Sequence, residues 1–242
     1  MTDRSAPRIG VIVLEADHSV ETLDLADPFS WRPPAGLSAG FFGHPDCWPQ
    51  QVLFAVAEGA TGATSAACTP EALAGVVAAV RRLEGRCDLI VGGCGYFGAA
   101  WPLLTPAPAT PTVLSALDLL DSALLSTSKN VAILSMSRSA ATDFVADRAD
   151  VDRIRVVGFD GVTDWPKFAH ADWAIAPRWS LDGLEAGVRQ VMAGATQPGG
   201  PLADVGAVLL ECTVLPQFRS VLREYTAAPI IELRSFVDQL LT

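Results

Sequence analysis

The chain has 242 residues, half of them hydrophobic and 18% charged, enough to bury a full core as one large domain or two smaller lobes. A net charge of −10, with 17 Lys and Arg scattered along the sequence, argues against a nucleic-acid partner, because phosphate binding needs clustered cations. Five cysteines without a CxxC pair, and three histidines without an HxH or HExxH pattern, leave little material for a disulfide framework or a metal site.

Met1 to Arg8 is short and polar, carries no signal-peptide pattern, and leads straight into Arg8–Glu15 (RIGVIVLE), which reads as a buried strand. The segment Asp24–Gln51 has no regular pattern and holds Phe29, Trp31, Phe41, Phe42, Trp48 and several prolines; it reads as a lid, a binding loop or a packed excursion. Thr69-Pro70 opens a helix, with Thr69 as N-cap and Leu73, Val76, Val77, Val80 and Leu83 at helical spacing up to Gly85. Cys87–Val91 is a second strand that runs into GGCGYFG. The uncharged stretch Leu89–Leu117 contains four glycines and four prolines and does not read as a membrane helix. Pro111–Ser115, Val131–Ser135, Arg153–Val157, Val205–Glu211 and Pro229–Leu233 are further strands. Helices are expected from Arg138, around Leu181–Val191, from Pro216, and at the end of the chain. Near-continuous apolar strands alternating with helices predict an α/β fold with a mostly parallel sheet. Without a leader pattern the expected location is cytoplasmic, with reduced thiols and no membrane partner.

In such folds ligands gather at the carboxyl ends of strands. That rule selects the turns after Glu15, Val91, Ser135 and Glu211. Asp17, His18 and Glu21 follow the first of these strands. Cys94 and Cys212 lie at two of the other turns, each expected to precede a helix. There the unpaired N–H groups and the dipole of the helix favour a thiolate. The glycines around Cys94 would let a ligand approach the backbone. Cys47, Cys68 and Cys87 read as small core residues. A thiol on each face of a substrate carbon is what proton exchange at a stereocentre needs.

These motifs carry a family resemblance. GGCGYF after the strand DLIV, ECTVLP after VGAVLL, the closing TAAPIIEL and the earlier EGATGATS resemble the aspartate/glutamate/hydantoin racemase superfamily, which includes maleate isomerase and arylmalonate decarboxylase. The resemblance runs from about Val52 to the C-terminus. It implies two pseudo-symmetric, flavodoxin-like α/β lobes, divided here as 1–114 plus 219–242 and 115–218. It also implies a small carboxylate substrate, catalysis without a cofactor, and a fold compatible with a homo-oligomer. Cys94 and Cys212 become the acid/base thiols. Gly95, with Tyr96 beside it, and Thr213 bind the carboxylate, and Ser135 and Ser137 stand on a further hydroxyl-bearing loop; Ser137 reads equally well as the N-cap of the helix from Arg138. Two positions depart from the amino-acid racemase pattern. Gly95 and Tyr96 replace Asn and a hydroxyl residue, and Val214 stands where glutamate-type members place His. Both departures lean away from a free acidic amino acid and towards another carboxylate, a hydantoin-like ring or a bulkier amino acid.

Three other readings compete. Gly93 to Gly98 matches GxGxxG, with Asp118 as an acidic ribose ligand, although Pro102 would interrupt the following helix. Cys94 could act alone as a hydrolase nucleophile with His170 as base, or in a decarboxylase on the same scaffold. A non-catalytic binding protein is the third.

Overall fold

The computed structural model describes residues 7–15, 41–169 and 179–241. They fall into two compact units, one of the described residues up to Ser115 with Leu240 and Leu241, the other of those from Ala116 to Gln239. Each unit is built on a four-stranded, all-parallel sheet.

In the first unit the strands are β1 (Arg8–Leu14), β2 (Gln51–Ala57), β3 (Leu89–Gly92) and β4 (Thr112–Val113), in the order β2-β1-β3-β4. The run RIGVIVL makes β1 a central strand because it is apolar on both sides. Ile9, Val11 and Ile12 are fully buried between layers, as a parallel sheet requires. β2 is not among the strands expected from the sequence. Its run Val52–Ala57 has the same continuous apolar signature but follows at once on the irregular aromatic segment that ends at Gln51, with no turn signal to mark its start. Two helices follow, α1 (Gly62–Ala66) and α2 (Pro70–Leu83). As expected, Thr69 caps α2, accepting from the Ala72 N–H at 3.3 Å, with Pro70 in the first turn. Ala72, Val76, Ala79, Val80 and Leu83 form the buried stripe of α2, packed with Ile12, Leu53, Ile90 and Leu114 in one core.

In the second unit the strands are β5 (Asn130–Ser135), β6 (Ile154–Gly158), β7 (Val205–Leu210) and β8 (Ile230–Ile231), in the order β6-β5-β7-β8. The helices are α3 (Leu120–Leu125), α4 (Arg138–Val145), α5 (Trp165–Ala169), α6 (Leu181–Ala195), α7 (Arg219–Tyr225) and α8 (Leu233–Leu241). On α6, Leu184, Val188 and Met192 are fully buried, and Ser180 caps its start by accepting from the Gly183 N–H at 3.0 Å. Trp165 is wholly buried beside Phe159, and its indole N–H is satisfied by the Leu184 carbonyl at 2.9 Å.

The two sheets thus repeat one flavodoxin-like strand order. The C-terminal segment differs from expectation. Residues 219–239 belong to the second unit, not the first. β8 pairs with β7 through Val208–Ile230 and Leu209–Ile231, and Arg189 of α6 grips Glu224 of α7 at 2.6 Å. Among the described residues no helix is long and apolar enough to cross a membrane.

Candidate functional site

Cys94 and Cys212 occupy the same place in the two sheets. Each stands two residues beyond the last residue of the strand third in order, Gly92 of β3 and Leu210 of β7. The residue before each cysteine donates its N–H to the central strand, Gly93 to the Ile12 carbonyl at 2.8 Å and Glu211 to the Leu134 carbonyl at 2.9 Å. Each cysteine carbonyl then accepts from the N–H three residues on, from Phe97 at 3.2 Å and from Leu215 at 3.1 Å. Two separate stretches of sequence therefore fold into one turn geometry.

The sequence predicts an α-helix directly after each turn, and neither turn has one at that point; after Cys212, α7 begins only at Arg219. A 3-10 stretch follows each, Phe97–Leu103 with Pro102 inside it, and Leu215–Phe218 with Pro216 at its start. Proline lacks the N–H that a regular helix would use. A dinucleotide site at Gly93–Gly98 would need a regular helix at that point, and none forms there.

The glycines before Cys94 have a different role from the one expected. A Cβ on Gly92 would lie 1.9 Å from the Leu114 carbonyl oxygen, and one on Gly93 would lie 2.7 Å from that of Ile12. The space is taken by neighbouring backbone of the same sheet, so these glycines let β1, β3 and the end of β4 close up. Gly92→Ala is expected to lower stability by about 1–3 kcal/mol through overpacking. Urea unfolding checks this, and an unchanged midpoint would show that the β4 edge can shift. Cys94 itself is half-buried against the core of the first unit. The Gly95 carbonyl accepts from the Ser115 hydroxyl, which ties this turn to the segment after β4. Tyr96 is buried, at 2% exposure.

Around Cys212 the electrostatics run against the sequence expectation. The N–H groups of Val214 and Leu215 do favour its thiolate. Burial opposes them and is the larger effect, and the Glu211 carboxylate adds to it, so the thiol is pushed up to about 12. Glu211 is itself buried, and desolvation raises its carboxyl to about 7 against the hydrogen bonds it accepts. Those bonds come from the Ser135 hydroxyl at 2.8 Å and the Met136 N–H at 3.4 Å. The Ser135 hydroxyl also lies 3.0 Å from the Ser137 carbonyl and accepts from the Ser137 N–H at 3.2 Å. Ser137 caps α4, its hydroxyl accepting from the Ala140 N–H at 3.3 Å. Thr213 is half-buried beside Cys212.

In the second unit, then, the structure brings Cys212, Thr213, Glu211, Ser135 and Ser137 to the neighbouring ends of β5 and β7. Glu211 was not singled out from the sequence. Its signal was there: one acid closing the otherwise apolar run VGAVLL. Asp17, His18, Glu21, His170 and residues 24–40 of the aromatic segment lie outside the described residues. The described end of that segment is packed: Phe41, Phe42 and Trp48 are buried, and the Trp48 indole donates to the Phe42 carbonyl at 2.9 Å. Among the described residues no group of three or more His, Cys, Asp or Glu is placed to hold a metal ion.

No protein-family model matches the chain, and no curated protein matches it in sequence. Solved structures do match in fold. Aspartate racemase from Picrophilus torridus aligns with a TM-score of 0.52 at 15% identity, over 98% of this chain and 93% of that one. An aspartate racemase homologue from Pyrococcus horikoshii aligns at 0.50 and 14% identity, over 97% and 99%. A maleate isomerase from Pseudomonas putida aligns at 0.50 and 16% identity, over 98% and 93%. Over nearly its whole length the chain carries the fold of these aspartate racemase and maleate isomerase structures.

Proposed function

We propose that the protein is a cofactor-independent isomerase of the racemase or epimerase type, acting on a small carboxylate such as an amino acid or hydantoin. Cys94 and Cys212 are its two acid/base groups. The observation that carries this reading is the equivalence of the two turns: a thiol at the same topological place, with the same backbone hydrogen bonds, in each of two sheets of identical order. One thiolate takes the proton from the substrate carbon, and the other thiol returns a proton to the opposite face. The negative charge that develops runs into the substrate carboxylate. Backbone N–H groups at Gly95 and Thr213, with the Thr213 and Ser137 hydroxyls, hold that group, and Tyr96 shapes the turn beside it. Ser135 supports this set through Glu211.

A second reading draws on the protonated state favoured at Cys212. A malonate-type acid that loses CO2 leaves a carbanion, and one thiol suffices to protonate it, the resulting thiolate being reprotonated from water. One experiment separates the two. Amino acids, hydantoins and arylmalonate-type acids are incubated in deuterium oxide and followed by proton NMR. Loss of the Cα proton signal with inversion supports the isomerase, CO2 release with deuterium incorporation supports the decarboxylase, and neither event with any compound overturns both.

A further inference from the structure

The two turns are alike in backbone and unlike in one residue. Gly93 precedes Cys94, and Glu211 stands at the corresponding place before Cys212. A carboxyl group 2% exposed, at the end of a strand that is otherwise apolar, costs stability and is out of place as a packing residue. It is held by a hydroxyl and a backbone N–H, from the fully buried Ser135 and from Met136 at the end of the neighbouring strand β5. Among the described residues Glu211 is the charged group that acts on Cys212, and no charged group offsets the burial of Glu211.

We propose that Glu211 is a positioning residue for Cys212: it fastens the Ser135–Ser137 turn to the Cys212 turn and sets a buried negative charge beside the thiol, against its thiolate form. The proposal rests on the two-thiol reading for its functional meaning. It makes two topologically equivalent thiols unequal. Cys212, beside a buried carboxylate, rests as the proton donor, and in the two-thiol reading Cys94, preceded by Gly93 at the corresponding place, is then the base. The enantiomer that presents its Cα proton to Cys94 is then processed from the resting enzyme. The opposite enantiomer requires the proton to be redistributed between the thiols first. The burial that raises the Cys212 thiol is common to any sulfur in that turn; the contribution of Glu211 is specific and removable.

The test needs no substrate. Thiolate absorbance in the far ultraviolet is titrated against pH for the wild type, Glu211→Gln, Glu211→Met and Glu211→Asp, each checked for a native near-ultraviolet circular dichroism spectrum. With the charge removed in the Gln and Met variants, one thiol is expected to titrate about one pH unit or more lower than in the wild type. The Asp variant, which keeps the charge, is expected to follow the wild type. Adding Cys212→Ala to Glu211→Gln should abolish the shifted step. Superimposable curves for wild type and both neutral variants overturn the proposal. So does a shift that survives Cys212→Ala, or one of equal size in the Asp variant, which would mark a change of packing instead of charge. Because no turnover is measured, failure of the isomerase reading leaves this titration unaffected, and failure of the titration leaves the exchange assay unaffected.

Discussion

Replacing either Cys94 or Cys212 by alanine is expected to cut inversion of the substrate carbon by roughly 10²- to 10⁴-fold, the usual worth of a placed acid or base. The two variants should fail in different ways. With Cys212 gone, Cys94 still removes and returns a proton on its own face, so deuterium enters one enantiomer without inversion. With Cys94 gone, the mirror-image behaviour is expected, and it should be slower, because Cys212 must first lose a proton that burial and Glu211 both hold in place. The folding cost of either change is small, since alanine removes one sulfur, half-buried at Cys94 and buried at Cys212, and adds no polar atom. Solvent exchange followed by chiral chromatography reads both results. Inversion that persists in both variants would end the two-thiol mechanism. Full turnover in Cys212→Ala alone would favour a single-cysteine enzyme centred on Cys94.

Much of this arrangement was legible in the residues themselves. β1, β5 and β7 are continuous apolar runs, and Thr69-Pro70 marks the start of α2 to the residue, because capping chemistry is local. The strand-end positions of both cysteines follow from the same runs. Features set by distant pairings were not legible. β8 is only two residues long, and its membership of the second sheet depends on hydrogen bonds to β7, so nothing local places residues 219–239 with the second unit. Ser135 and Glu211 meet across 76 positions, and nothing local announces that bond. The ionisation of Cys212 runs opposite in sign to the sequence expectation for a related reason. Turn N–H groups can be inferred from a strand-turn pattern, whereas the burial that outweighs them is a property of the packed unit. Gly92 shows the same limit, since a glycine in a loop looks like an opening for ligand until the Leu114 carbonyl is seen filling its space.

Glu211 should also leave a mark on stability. Its carboxyl ionises at about 7 in the folded protein, against an ordinary value of 4.5. Below 4.5 both folded and unfolded chains keep the proton, and this group costs nothing. Between 4.5 and about 7 only the unfolded chain gives it up, so rising pH favours unfolding. Above about 7 both states are ionised and the loss is complete, on the order of 3 kcal/mol for a shift of this size. Glu211→Gln keeps an acceptor for the Ser135 hydroxyl and removes the titration. Wild type should therefore lose roughly 3 kcal/mol more than the variant between about pH 5 and about pH 8 in urea unfolding. The carboxylates held low by basic partners, Asp150 by Arg148, Asp164 by Lys167 and Glu224 by Arg189, act in the opposite sense. Their contribution is present above their ordinary values and lost as pH falls below them, so it lies outside this window and is common to both proteins. The Cys212 thiol titrates above the window as well. Parallel stability curves for wild type and Glu211→Gln would mean that water reaches Glu211 and that its charge is not held in the dry environment on which its effect on Cys212 depends.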